Sequence, residues 1–145
     1  HFLQGLSVTG NCFKSLNGTT DRIERVDNSI ADLVYGSVRN VVFDSNTFNG
    51  IGQVTQNPVT VEFNQASEAT DWQVDVSGWL PFGGKAREVT ALVAEGVISN
   101  ASDVPVFGMP FVTTEAGAGQ NEVTLTWPEP VKGRVHITAR VDRPV

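Results

Sequence analysis

At 145 residues the chain is long enough for one or two small domains with a sizeable buried core. Hydrophobic residues make up 40% and charged residues only 18%, and 16 acidic against 10 basic side chains leave a net charge of -6, with a pI near 4.7. That balance argues against nucleic acid and anionic membrane surfaces as partners, and no apolar run reaches the length of a membrane span or a signal h-region. Val and Thr are abundant and no long amphipathic run dominates, which predicts a mostly β chain. Cys12 stands alone, so no internal disulfide is expected.

Residues 3–16 (LQGLSVTGNCFKSL) begin with short alternating apolar positions, a polar corner at Asn11 and an aromatic residue, Phe13. The pattern returns at residues 38–51 (VRNVVFDSNTFNGI): Leu6 matches Val41, Val8 matches Phe43, Asn11 matches Asn46 and Phe13 matches Phe48, at a constant offset of 35 residues. Such self-similarity predicts units that cannot bury an inner face alone and therefore stack, with Asn11 and Asn46 as candidates for one side-chain ladder. The offset is long for one plain solenoid coil, so an insertion is expected between the copies. Residues 14–20 are turn-rich through Asn17-Gly18. In residues 21–36, Ile23, Val26, Ile30, Leu33 and Val34 recur at helical intervals, and Asp21 with Glu24 resembles a capping box. Against a helix, Asp27-Asn28-Ser29 would sit in its middle, where these side chains compete for the backbone. A further coil is the other option, and the balance favours irregular, largely extended chain.

Residues 51–58 (IGQVTQNP) change texture and mark a boundary, since Pro58 cannot continue a central ladder. From Val59 onward the period is two: Val59, Val61 and Phe63; Trp72, Val74 and Val76; Val123, Leu125 and Trp127; Val135, Ile137, Ala139 and Val141. Half-buried strands of this kind belong to antiparallel sheets with one wet face. Turn signals fall at residues 64–70, 83–84, 99–103, 116–120 and 128–133. Residues 89–94 are more continuously apolar and read as a central strand. Residues 104–112 (VPVFGMPFV) carry two prolines and should bend or lie at an edge. About seven short strands with regularly spaced turns predict an antiparallel β-sandwich of jelly-roll type. The expected organisation is all-β, with stacked coils in 1–57 and a carboxyl-terminal sandwich in 58–145.

Catalytic chemistry finds little to stand on. Only His136 is placed to serve a nucleophilic triad, alternation sets it on the polar face of a strand, and no Gly-x-Ser-x-Gly elbow accompanies it. No His, Cys, Asp or Glu spacing suggests a metal, and Asp71 with Asp75 reads as strand charge rather than calcium ligation. Gly83-Gly84-Lys85 lacks the rest of a phosphate-cradling loop, so neither catalytic residues nor a cofactor are expected. Trp72 and Trp127 share a face with Val and Leu and should be core. Trp79, in residues 78–84 (GWLPFGG), breaks the alternation before a turn and is the candidate exposed ring, for a subunit interface or, with Phe82, for carbohydrate. Val104, Val106, Phe107, Met109 and Phe111 form a run without charge, the candidate oligomer interface. Filling the monomer core is the competing use for them.

The repeated rung resembles the right-handed parallel β-helix of pectate-lyase-like proteins and phage tailspikes, whose coils often read "nVtItgNtF". Coils followed by a terminal sandwich resemble the trimeric tailspikes as well, and the WLPFGG stretch and residues 133–144 are similar to their terminal domains. Two coils are fewer than the three or so that stability requires, and the chain begins His1-Phe2 without a methionine, so a longer parent protein is expected. The resemblance implies a non-catalytic carboxyl-terminal region, extracellular or on a virion surface, acting in homotrimer assembly with cell-surface polysaccharide as a further partner. Alternatives are a fragment of a secreted β-helix polysaccharide lyase or glycoside hydrolase, whose acids would line a groove on the coils, and a free-standing carbohydrate-binding module.

Overall fold

Short parallel strands fill the first third of the computed structural model, which describes residues 2–144. Leu3–Gln4 (β1) lies on Val38–Arg39 (β4), Ser7–Thr9 (β2) on Val42–Asp44 (β5), and Cys12–Lys14 (β3) on Thr47–Asn49 (β6), every pair parallel. The register is Leu3 on Val38, Val8 on Phe43 and Phe13 on Phe48, the offset seen in the sequence. The corners match too. Gly5 and Gly10 take left-handed backbone at φ 75° and 68°, and their counterparts Asn40 and Ser45 do so at 50° and 56°. Glycine adopts that region freely, whereas other residues do so mostly where a turn demands it.

The stack is held by side chains as well as by the ladder. Phe13 and Phe48 stack with ring centroids 5.7 Å apart. The Asn46 carboxamide oxygen accepts from the Asn11 backbone N–H at 2.9 Å, and its nitrogen donates to Val8 O at 2.8 Å. Val38, Val41 and Phe43 form a small buried centre, with Leu3, Leu6, Val8, Ile23 and Leu33 packed around it. Residues 21–34 carry neither helix nor strand, and a single 3-10 turn follows at Tyr35–Ser37. The polar run at Asp27 explains why: the Ser29 N–H bonds to the Asp27 carboxylate at 2.9 Å instead of joining a helical ladder.

The remaining strands are Val59–Asp75 (β7), Glu88–Ser99 (β8), Phe111–Ala116 (β9) and Glu122–Arg140 (β10). β10 is central. It pairs antiparallel with β7 along one flank, and on the other with β9 and then β8. The expected seven short strands have therefore merged into four in one hydrogen-bonded antiparallel sheet. Residues 64–70 and 128–133 are not turns but lie inside β7 and β10. The register jumps between Thr126 and Val131, so Pro128 and Pro130, which have no N–H to donate, fall where the ladder is interrupted anyway. Residues 89–94 also differ from expectation, because β8 pairs with β10 alone and leaves Val93 and Val97 exposed. An apolar run signals hydrophobic contact but not its direction.

Both halves of the sheet feed one core. Val59, Val61, Val135, Ile137 and Ala139 come from one half; Trp72, Val74, Val123 and Leu125 come from the other. Trp72 packs against Trp127 with ring centroids 4.9 Å apart and the rings tilted, and donates its indole N–H to Ala69 O and Val131 O. Gly133 lets β8 approach the bulge, for a Cβ there would lie 2.6 Å from Ile98 Cδ1.

A buried polar joint ties the stack to the sheet. Asp142 and Asn57 are fully buried. The Asp142 carboxylate accepts from Val41 N at 2.9 Å, Asn57 Nδ2 at 2.9 Å and Arg140 Nε at 3.0 Å. Asn57 also donates to Val41 O at 2.8 Å and accepts from Val141 N at 2.9 Å. Burial alone would raise the Asp142 carboxyl, but hydrogen bonds from Arg140, Asn57 and the Val41 amide, with the Arg140 charge, hold it below the usual range. Among the described residues no helix is long and apolar enough to cross a membrane.

Candidate functional site

Two surfaces stand apart from the ordinary exterior. The first is an apolar groove at the β8 edge of the sheet. Leu92, Ala94 and Ile98 of β8 and Val135 of β10 line it with Trp127, and residues 105–110 form its lip. Asn100 anchors that lip: its backbone N–H bonds to Val104 O at 3.0 Å, and its side-chain oxygen accepts from the N–H groups of Ser102 and Val104. Val106 then bonds through its N–H to Ile98 O at 2.9 Å, which turns its side chain half inward.

On both sides of Val106 the large apolar side chains face water. Relative exposure is 53% for Val104, 98% for Phe107, 77% for Met109 and 73% for Phe111. Of the five residues singled out in sequence, only Val106 contributes to packing against the core. The competing expectation, that this run fills the monomer core, fails for the other four. Trp127 lines the groove and is itself buried, and its indole N–H has no acceptor among the described residues, unlike that of Trp72.

The second surface is a polar cleft of about 550 Å³ between the irregular segment and the 82–85 turn. Asp21, Glu24, Arg25, Tyr35, Phe82 and Lys85 are among its walls. The Arg25 guanidinium donates to both Asp21 oxygens at 2.8 Å, and that contact holds the Asp21 carboxyl below its usual range. Glu24 goes the other way. Burial raises its carboxyl, against the lowering influence of Arg22 and of the Thr55 hydroxyl, which donates to Glu24 Oε1 at 3.2 Å. The Tyr35 hydroxyl donates to Phe82 O, and Lys85 Nζ sits 4.6 Å from the Tyr35 ring centroid. Two carboxyls shifted in opposite directions, beside two aromatic rings and the cations Arg22, Arg25 and Lys85, make a site able to hydrogen-bond and stack a polar ligand.

The expected carbohydrate pair divides. Phe82 lines the cleft but is half-buried, wedged edge-on against Phe43 at 5.9 Å between the two hydrophobic clusters. Trp79 is 38% exposed in the turn after Val76 and is not among the residues lining the cleft. Sequence reading missed Glu24, Tyr35 and Lys85 as neighbours, since irregular chain carries no period to follow.

A third cluster lies on the open face of the sheet. His136 Nε2 is 2.6 Å from Glu95 Oε2 and 3.9 Å from Glu62 Oε2, and one ligand atom from each lies within 4.8 Å of the others. Three strands bring them together, so no linear spacing announced the group. Arg134 reaches the other oxygen of both carboxylates, at 3.4 Å and 3.7 Å, so both acids are already paired with a cation of the protein itself. The cluster is best described as an exposed cross-strand ion-pair network. No protein-family model matches this chain, and neither a curated protein nor a solved structure matches it.

Proposed function

We propose that this chain is the non-catalytic carboxyl-terminal region of a tailspike-like surface spike and that it works in homotrimer assembly. In this reading residues 1–57 are the last coils of a right-handed parallel β-helix, and residues 58–145 are a sandwich-like terminal domain on an extracellular or virion surface. One observation carries it: in the uncharged run from Val104 to Phe111, Val104, Phe107, Met109 and Phe111 are displayed rather than buried. Large contiguous apolar surface on a soluble domain ordinarily marks an interface, and cyclic symmetry would cover it while closing off sheet edges such as β8. Sedimentation equilibrium at micromolar concentration tests the proposal. The expected mass is three times that of the 15.6 kDa chain, and a lone 15.6 kDa species overturns it.

Cell-surface polysaccharide is the further partner, with the polar cleft as its seat. The opposite shifts of Asp21 and Glu24 within that cleft favour a second reading, a fragment of a polysaccharide lyase or hydrolase, in which a carboxylic acid and a carboxylate act as a pair. Incubation with bacterial capsular polysaccharide separates the two. Binding without new chain ends supports the non-catalytic reading, and cleavage that disappears in Glu24→Gln establishes the second.

A further inference from the structure

We infer that Lys85 sets the specificity of the polar cleft, and that the glycan unit it selects is an acidic sugar bearing one negative charge. The inference rests on the reading of that cleft as the seat of a polysaccharide and narrows its ligand. Three acids and three cations line the cleft: Asp21, Glu24 and Asp32 against Arg22, Arg25 and Lys85. Both arginines are engaged within it. Arg25 grips the two Asp21 oxygens at 2.8 Å, and Arg22 lies 3.9 Å from one of them and acts on the Glu24 carboxyl as well. Lys85 is different. Among the described residues it has no carboxylate within ion-pair distance, and its ammonium rests 4.6 Å from the centroid of the Tyr35 ring. Acids are not scarce on this chain, 16 against 10 lysines and arginines, so the fold leaves this cation open without being short of partners for it.

The ammonium is also held in place. Gly83 and Gly84 turn the chain at φ 92° and 78°, the Gly84 N–H bonds to Pro81 O at 3.0 Å, and the Ala86 N–H bonds to Gln120 O at 2.9 Å. Lys85 therefore leaves a backbone fixed on both sides. Its aromatic platform is fixed as well: the Tyr35 hydroxyl donates to Phe82 O, and the Tyr35 carbonyl accepts from Arg87, which pairs with Glu115 at 3.2 Å. A cation already in position loses little further freedom when an anion arrives. Charge complementarity then chooses the anion. An ammonium is a compact point charge, without the planar fork with which a guanidinium grips a phosphate. Lys85 pairs with one negative charge; a second would face the acids of the cleft with no cation left to receive it. Asp32, which has no ion pair among the described residues either, is left to accept from sugar hydroxyls. A uronic acid carboxylate and a sugar sulfate ester share this chemistry.

Three small glycosides test it: methyl β-D-glucuronide, a sulfate ester of methyl β-D-glucoside, and uncharged methyl β-D-glucoside. Each is titrated into isotope-labelled wild type, Lys85→Met and Lys85→Arg, and the dissociation constant is read from amide shifts at the cleft. Methionine keeps the aliphatic stem and removes only the charge, and an unchanged circular dichroism spectrum checks the fold of both variants. Wild type should bind the glucuronide about tenfold tighter than the glucoside, the effect of one hydrogen bond between charged groups. The preference should shrink in strong salt. Lys85→Met should abolish it without changing affinity for the glucoside, and Lys85→Arg should keep most of it. A gain for the sulfate ester alone, or for the glucuronide alone, assigns the source of the charge and supports the role of Lys85. Equal affinity for all three glycosides, or a preference that survives Lys85→Met, overturns the inference and leaves the cleft a seat for neutral glycan. No shift at the cleft with any of the three overturns the polysaccharide seat along with it.

Discussion

The parallel stack and the antiparallel sheet solve the same burial problem with different resources. In the stack, strands of two or three residues enclose a centre of three buried side chains, Val38, Val41 and Phe43. Much of its order comes from repetition: like residues pair, corners share a conformation, and Asn46 bonds upward to Asn11. In the sheet, strands of up to 19 residues wrap a core around two tryptophans. The difference teaches where each region is vulnerable. The sheet depends on individual core contacts, the stack on register, and both depend on the joint at Asp142.

The largest effect is expected at that joint. Asp142→Ala leaves the Arg140 guanidinium and the Val41 N–H without their buried acceptor, and breaking a buried pair in this way costs about 3–5 kcal/mol. Urea unfolding followed by tryptophan fluorescence should show the loss, and a change near zero would mean that the two regions are not energetically joined here. The same carboxyl gives the joint a pH dependence. Its folded pKa lies below the ordinary aspartate value, so its contribution is present above that ordinary value and is lost as pH falls through the folded one.

Within the sheet, Gly133→Ala forces a methyl group to within 2.6 Å of Ile98 Cδ1 at a backbone φ of 150°. Overpacking of this kind costs about 1–3 kcal/mol, measurable as a lowered urea midpoint with an unchanged slope. Within the stack, Asn46→Ala removes the acceptor for Asn11 and the donor to Val8. These bonds are partly solvated, so the expected loss is about 1 kcal/mol. Hydrogen exchange should accelerate at the Asn11 amide and remain unchanged in β7 and β10; acceleration throughout would show that the ladder does not act locally.

Legibility followed the same division. The stack was readable because register is written as identity at a fixed offset, and Phe13 with Phe48 announced their own pairing. The sheet was readable face by face, since Trp72, Val74, Leu125 and Ile137 fell where alternation put them. Its strand count was not, because Pro128 and Pro130 signal a break whether they end a strand or occupy a bulge. Phe107 shows a second limit. A charge-free run states that surface must be covered but not by which molecule. Phe82 shows a third: an aromatic residue before a glycine turn reads as exposed, yet its ring was needed to close the gap between the two cores. The cleft was least legible of all, for Glu24, Tyr35 and Lys85 meet through irregular chain.

The smallest effect belongs to that cleft, and its sign separates a binding residue from a structural one. Burial raises the Glu24 carboxyl, so the folded chain holds the proton more tightly than the unfolded chain does. Below the unfolded value both states are protonated and the group costs nothing. Above the folded value both are ionised, and the fold carries the cost of keeping the charge partly desolvated. Glu24→Gln removes the charge while preserving an acceptor for the Thr55 hydroxyl. The variant is therefore expected to be slightly more stable than the wild type at pH 7 and indistinguishable from it at pH 3.5, by thermal unfolding at both pH values. A loss of stability at pH 7 would mean that the carboxylate is held by contacts that favour its charge, and would return Glu24 to the class of structural acids. A gain confined to neutral pH would mark it as a group the fold retains at some cost, the behaviour expected of a residue kept for a ligand.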